Sequence, residues 1–304
     1  MSNVCPASAS ASTLEQCPVS GEQSKYASAM ELPQETKPIP YPPRKFIVGN
    51  LFDLDPTRGV QCIHEIGERP EFRDIYELKI MGQAFSIAGS YKMAKALCDE
   101  TRFKKNAHRP IMLLRDMLGD GLFTALDEEE SWEIAHRILL PAFGPLSLKK
   151  MQPMMVDTLT QMLMHWEHTA GTPFDIVDQF TRLTLDTIGL CAFRFRFNSF
   201  HSEKVHPFVD NLMKVLVQID ERSKFPDGLL KLRYFANKKY YGAIQEMFDM
   251  CDQLIAERKR NPYPDAGDLL NTMLHDKDPK TGKGLTDENI RYQVITFLSA
   301  GKCG

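Results

Sequence analysis

The chain has 304 residues, 43% hydrophobic and 25% charged, enough to bury the core of one large domain or two small ones. Its net charge of -3 provides no broad basic field of the kind that draws proteins to phosphate backbones, which argues against nucleic acid as a partner. No apolar run approaches the ~20 residues needed to cross a bilayer, and MSNVCPASASASTLEQCPVSGEQSK lacks the apolar centre of a secretory signal, so the expectation is a soluble, cytoplasmic protein.

Residues 1–37 are rich in Ser, Ala, Gln and Glu without hydrophobic period, which predicts a disordered tail. The seven cysteines, two of them in that tail, are scattered and read as reduced thiols rather than a disulfide framework. Pro38, Pro40, Pro42 and Pro43 predict an extended path ending at the turn signal Gly49-Asn50, before a short helix from Val60 to Gly67. Asp74 to Ile80 and Ala84 to Ala88 are strand-like runs around Met81-Gly82-Gln83, a hairpin.

Helical period dominates from there on. After Pro145, the residues Leu148, Met151, Met155, Leu159, Met162 and Trp166 form one apolar stripe, with Pro153 kinking the helix or marking its first turn. His165 and His168 share that helix, but no third metal ligand is evident, so no metal site is assigned. A second stripe, Tyr240, Ile244, Met247, Cys251 and Leu254, ends in Glu257-Arg258-Lys259-Arg260 before Asn261-Pro262, where cations suit the helix end and proline stops it. Glu128-Glu129-Glu130 reads as a charged helix start. Thr286, Asp287 and Glu288 start a final helix with an apolar face of Ile290, Val294, Phe297 and Leu298, running to Gly301.

Three stretches carry a family resemblance: GDGLFTALDEEESWEIAHRILLPAF, TRLTLDTIGLCAFRFRFNSF and DKDPKTGKGLTDENIRYQVITFLSAG. Together and in this order they resemble the cytochrome P-450 superfamily of heme-thiolate monooxygenases, and within it the self-sufficient bacterial and fungal fatty-acid hydroxylases fused to a flavin reductase. The resemblance implies a fold that is mainly α with a small β portion. It would be the amino-terminal part of the cytochrome P-450 fold, truncated in the long central helix. Residues 38–301 would then be a partial heme-monooxygenase domain and 302–304 a divergent terminus.

The same resemblance implies heme in the complete family member, with FAD, FMN and NADPH acting through the reductase and none stably held by this chain. The substrate class it implies is a lipophilic small molecule. Trp132 and His136 are one helical turn apart, so an indole and an imidazole project from one face, where a carboxylate could be held. By resemblance this helix grips a heme propionate, Lys105 in FKKNAHR adds a cation, and Leu122, Phe297 and Ala300 also contact the heme.

Phe123 matches an aromatic that stands over the heme and steers substrate, while Ile111, Leu114 and Leu118 line the same cavity or fill the core. Gln83 and Ile87 occupy the positions where close fatty-acid hydroxylases carry an Arg and a Tyr for the substrate carboxylate. This departure predicts weaker reliance on a free carboxylate.

Ala300-Gly301 matches the oxygen-binding helix, but Lys302, Cys303 and Gly304 follow in place of the family's acid and Thr. The axial Cys of a Phe-x-x-Gly-x-x-x-Cys-x-Gly loop is also missing from these 304 residues. Glu288 with Arg291 and Glu257 with Arg260 mimic the family's Glu-x-x-Arg pair, but read as solvated surface pairs. Two readings follow: part of a monooxygenase, inactive as this chain, or a non-catalytic fragment binding lipid or a partner. In both, Phe297 and Leu298 are expected to expose apolar surface.

Overall fold

The structure, a computed structural model, describes residues 37–302 except 56, 57, 59, 81, 100, 106, 108, 203, 205, 224–229, 231, 232 and 264–266. Apart from Lys37, the tail expected at 1–37 lies outside the described residues, as do 303 and 304. The chain divides into two compact units, one ending at Lys104 and the other beginning at Lys105.

The first unit contains α1 (Val60–Gly67), β1 (Ile75–Ile80), β2 (Gln83–Ala88) and α2 (Tyr91–Leu97). The strands are antiparallel, with Tyr76 opposite Ile87 and Ile80 opposite Gln83. Gln83 is therefore the first residue of β2 and not part of a three-residue turn. Gly82, at φ 88°, supplies the left-handed backbone of the shorter connection, and Asp74 stays outside β1.

Tyr76 is buried and donates to the Ile63 carbonyl at 2.6 Å, fastening β1 to α1 over a small core of Ile66, Phe72 and Leu78. The Gly49-Asn50 turn has a tertiary task as well. Fully buried Asn50 donates to Pro43 O (3.1 Å) and accepts from Lys79 N (3.0 Å), pinning the proline-rich segment to the hairpin.

The second unit is helical: α3 (Arg109–Leu118), α4 (Glu130–Leu139), α5 (Pro145–His168), α6 (Ile176–Phe193), α7 (Pro207–Ser223), α8 (Tyr234–Arg260), α9 (Leu269–His275) and α10 (Asp287–Lys302). In α5, Pro153 lies well inside the helix, which excludes the first-turn alternative. The stripe expected there is only partly right. Met151, Thr158 and Met162 are buried, whereas Leu148, Met155 and Leu159 are exposed, because only one narrow edge of α5 packs inward. Trp166 donates to Gln179 Oε1 at 3.0 Å, joining α5 to α6.

α8 buries Tyr240, Ile244, Met247 and Cys251 as their spacing predicts, with Ile255 continuing the stripe and Leu254 partly covered. Its terminal cations are not all solvated. Arg258 is buried, donating to Asp268 Oδ1 (2.8 Å) and Phe193 O (2.9 Å). Asp268 in turn accepts the Asn271 amide and caps α9.

Thr286 Oγ1 accepts the Asn289 amide at 3.1 Å and begins α10, which packs against α3, α6, α8 and α9. This central position overturns the expected exposure of Leu298 and leaves that of Phe297 only partial. Leu298 is 1% exposed and Phe297 is half-buried against the core, because the preceding helices already surround that face. The reading of Glu288 with Arg291 as a solvated surface pair holds in part, since the two form an ion pair in which Glu288 is exposed. Arg291 donates to Asp252 at 2.8 Å and covers the Phe248 ring, linking α10 to α8, with Glu288 more distant at 3.7 Å. The pair Glu257 and Arg260 is solvated, as read.

Candidate functional site

α4 begins at Glu130, and it buries Ile134, Ala135, Ile138 and Leu139 against the core. Those apolar positions turn Trp132 outward and leave His136 half-buried one turn later. The two rings stack with centroids 4.8 Å apart and planes 9° from parallel. Neither the Trp132 indole N–H nor the His136 ring nitrogens meet a hydrogen-bond partner among the described residues. The pair therefore keeps donors for an external acceptor.

Lys105 is engaged elsewhere: its ammonium donates to Phe123 O (2.7 Å) and Ala125 O (3.0 Å), leaving one of its three N–H groups for a further acceptor. The loop it holds is clamped from several sides. Arg115 donates to Thr124 O at 2.7 Å and forms a two-point pair with Glu129 (2.5 and 3.0 Å), and Glu129 also accepts the Leu126 amide at 2.8 Å. Arg115 is the first cause holding the Glu129 carboxyl below the usual carboxylate range. Glu129 is thus more than a charged helix start.

On this rigid loop Phe123 is 53% exposed, so it is not a core aromatic, and Leu122 is half-buried. Leu118 fills the core, Leu114 packs against it and Ile111 is half-buried. Gln83 and Ile87 belong to the other unit, where Gln83 is exposed and Ile87 packs beside the small core of the hairpin.

Phe297 and Ala300 project from one side of α10, and the Phe297 ring lies 5.7 Å from that of Phe143, which follows α4. With Ala300 and Phe143 exposed, this edge offers apolar surface. A flat apolar ring bearing carboxylates matches such a combination of partnerless donors, a cation and exposed aromatics, so the residues fit heme. Gly301 lies where a Cβ would come within 2.8 Å of Ile188 Cγ2, so its lack of a side chain serves the packing of α10 on α6. His165 meets the Phe200 ring at 5.9 Å, and no cluster of metal-ligating side chains occurs among the described residues.

Sequence reasoning missed Asn289, Tyr292 and Gln293, which hold the 119–122 turn from α10. Their signal was a polar stripe at helical spacing, ordinarily the mark of a solvated face. Here Gln293 is fully buried.

The cytochrome P-450 family model matches residues 39–302. The chain is 42% identical over 270 residues to the self-sufficient cytochrome P-450 monooxygenase CYP505E3 of Phanerodontia chrysosporium, covering 88% of this chain and 25% of that protein. It is 42% identical over 265 residues to CYP505U2 of Exserohilum turcicum, another self-sufficient cytochrome P-450 monooxygenase, covering 87% and 24%. The bifunctional cytochrome P-450/NADPH--P-450 reductase of Fusarium oxysporum is 41% identical over 271 residues, covering 88% and 25%. The chain thus spans about a quarter of the length of these relatives. No described helix is long and apolar enough to cross a membrane.

Proposed function

Because the chain belongs to the cytochrome P-450 family, we propose that it is the amino-terminal portion of a heme-thiolate monooxygenase that hydroxylates aliphatic or fatty-acid-like substrates. The observation that carries this reading is the stacked Trp132–His136 pair, whose donors are unspent. Trp132, His136 and the remaining Lys105 N–H would hold the propionates, while Leu122, Phe297 and Ala300 would meet the ring. When bound, heme supplies the iron at which dioxygen is activated. Phe123, Ile111, Leu114 and Leu118 would shape the aliphatic side of the cavity, and Gln83 and Ile87 would replace the Arg and Tyr that close fatty-acid hydroxylases use for a substrate carboxylate. Electrons would come from a flavin reductase using FAD, FMN and NADPH, a reading supported by the name of the Fusarium oxysporum relative.

Taken alone, the 304 residues hold no thiolate in a Phe-x-x-Gly-x-x-x-Cys-x-Gly loop, and Lys302-Cys303 follows Ala300-Gly301. By themselves they should not turn substrate over. The reduced carbon monoxide difference spectrum of this chain tests that claim, with no thiolate-type band expected. A thiolate band accompanied by lipid turnover would refute it. Hemin association, read as quenching of Trp132 fluorescence in a Trp166→Phe background, should weaken about tenfold in His136→Leu, as loss of a charge-assisted bond implies. Unchanged quenching would remove the propionate assignment.

A further inference from the structure

The Gly119–Leu122 turn, which leads into Phe123, lies along a single stripe of α10. Asn289 donates to Asp120 Oδ1 at 2.9 Å, and Gln293 Oε1 accepts the Leu122 amide at 3.1 Å. Gln293 Nε2 donates to Asn289 Oδ1 at 3.1 Å, so the two amides form one chain of hydrogen bonds. Between them, a Cβ on Gly119 (φ 47°) would collide with the Tyr292 ring, and one on Gly121 would come within 2.8 Å of Thr296 Oγ1. Positions 289, 292, 293 and 296 are one helical face, and all four touch the same turn.

Gln293 is fully buried, so its amide has no water to exchange with, and removing it would leave the Leu122 N–H without an acceptor. Lys105 and Arg115 hold the carbonyls of Phe123 and Thr124. The backbone on both sides of the exposed Phe123 ring is therefore fixed by side chains, and the ring has its own χ angles as its main freedom.

We propose that Gln293 is a positioning residue that sets where Phe123 projects, and through it the depth to which an aliphatic substrate enters. The substrate side rests on the function proposed above, whereas the positioning side does not. A buried helix residue holding a neighbouring loop by its amide transmits any shift of α10 to the ring, because neither partner has an alternative bond.

The experiment is hydrogen–deuterium exchange of the 304-residue chain, comparing the parent with Gln293→Met, which keeps the volume and loses the acceptor. Leu298→Ala serves as a packing control on the same helix. Exchange over residues 118–126 should rise about tenfold or more in Gln293→Met, matching loss of one buried hydrogen bond of ~1.4 kcal/mol. Amides of α6 and α8 should stay at parent rates, while Leu298→Ala should raise exchange throughout the helical unit. Parent-like exchange over 118–126 in Gln293→Met would overturn the proposal, and so would a uniform rise like that of the control. Failure of the substrate reading would show separately, as Phe123→Ala leaving the affinity for 1-dodecanol, followed by tryptophan fluorescence, unchanged.

Discussion

The Arg137 guanidinium on α4 grips the Asp278 carboxylate, 141 residues further on, through hydrogen bonds of 2.6 and 3.0 Å. Thr281 adds a hydroxyl at 2.6 Å, so the 276–284 loop is folded around a single anion and tied to the helix that carries Trp132 and His136. Arg137 is the main reason the Asp278 carboxyl is held well below the usual carboxylate range.

A pH dependence follows. An Asp whose folded pKa is depressed contributes stability that is complete above its unfolded value of ~3.9 and is lost as pH falls toward the folded value. The urea midpoint of the parent should therefore exceed that of Asp278→Asn by a constant margin above about pH 5, and the margin should shrink below about pH 4. An equal margin at pH 3 and pH 7 would contradict this account.

Arg258 and Asp268 form the most enclosed ion pair among the described residues, with side chains 4% and 1% exposed. Arg258→Met leaves Asp268 buried beside Arg194 at 4.0 Å and strips Phe193 O of its donor. The expected cost is about 3–5 kcal/mol in denaturant unfolding, the range for breaking one side of a buried pair. A loss below ~1 kcal/mol would mean that the pair is better hydrated than its enclosure indicates.

Gly189 lies within α6, where alanine would ordinarily stabilise by ~1 kcal/mol. Here a Cβ would stand 2.7 Å from Phe197 Cε2 and 2.9 Å from Phe195 O. Gly189→Ala should instead destabilise by about 1–3 kcal/mol, and Phe197→Leu in the same chain should recover part of that loss. A rise in melting temperature of Gly189→Ala alone would refute the close packing.

In the function proposed above, Gln83 and Ile87, a neutral amide and an aliphatic, replace the Arg and Tyr of close fatty-acid hydroxylases and supply no cation for a substrate carboxylate. A fatty acid and its methyl ester should then bind with comparable affinity, measured by competitive displacement of a fluorescent lipid. A charge-assisted bond of ~1.5–3 kcal/mol would favour the acid more than tenfold, and a preference of that size would show that a cation elsewhere takes the carboxylate.

Much of the candidate site was legible from local pattern. The one-turn spacing of Trp132 and His136 placed both rings on one face, and the turn signal Asp120-Gly121 placed Phe123 on a loop. Lys105 was read as a cation for an external carboxylate, yet it also serves two carbonyls of its own loop. Spacing predicts which way a side chain leaves the backbone but not which acceptor folding brings to it.

Helix period, caps and turn residues determined the elements themselves: α8 and α10 lie where their apolar repeats and flanking Thr286 and Pro262 put them. Those signals act within a few residues and survive in any fold. Tertiary structure alone decided which faces were buried, covering Leu298, leaving Leu159 in solvent and enclosing Gln293 within an otherwise polar stripe. Burial depends on what arrives from elsewhere in the chain, as when the Leu122 amide meets Gln293 across 171 residues.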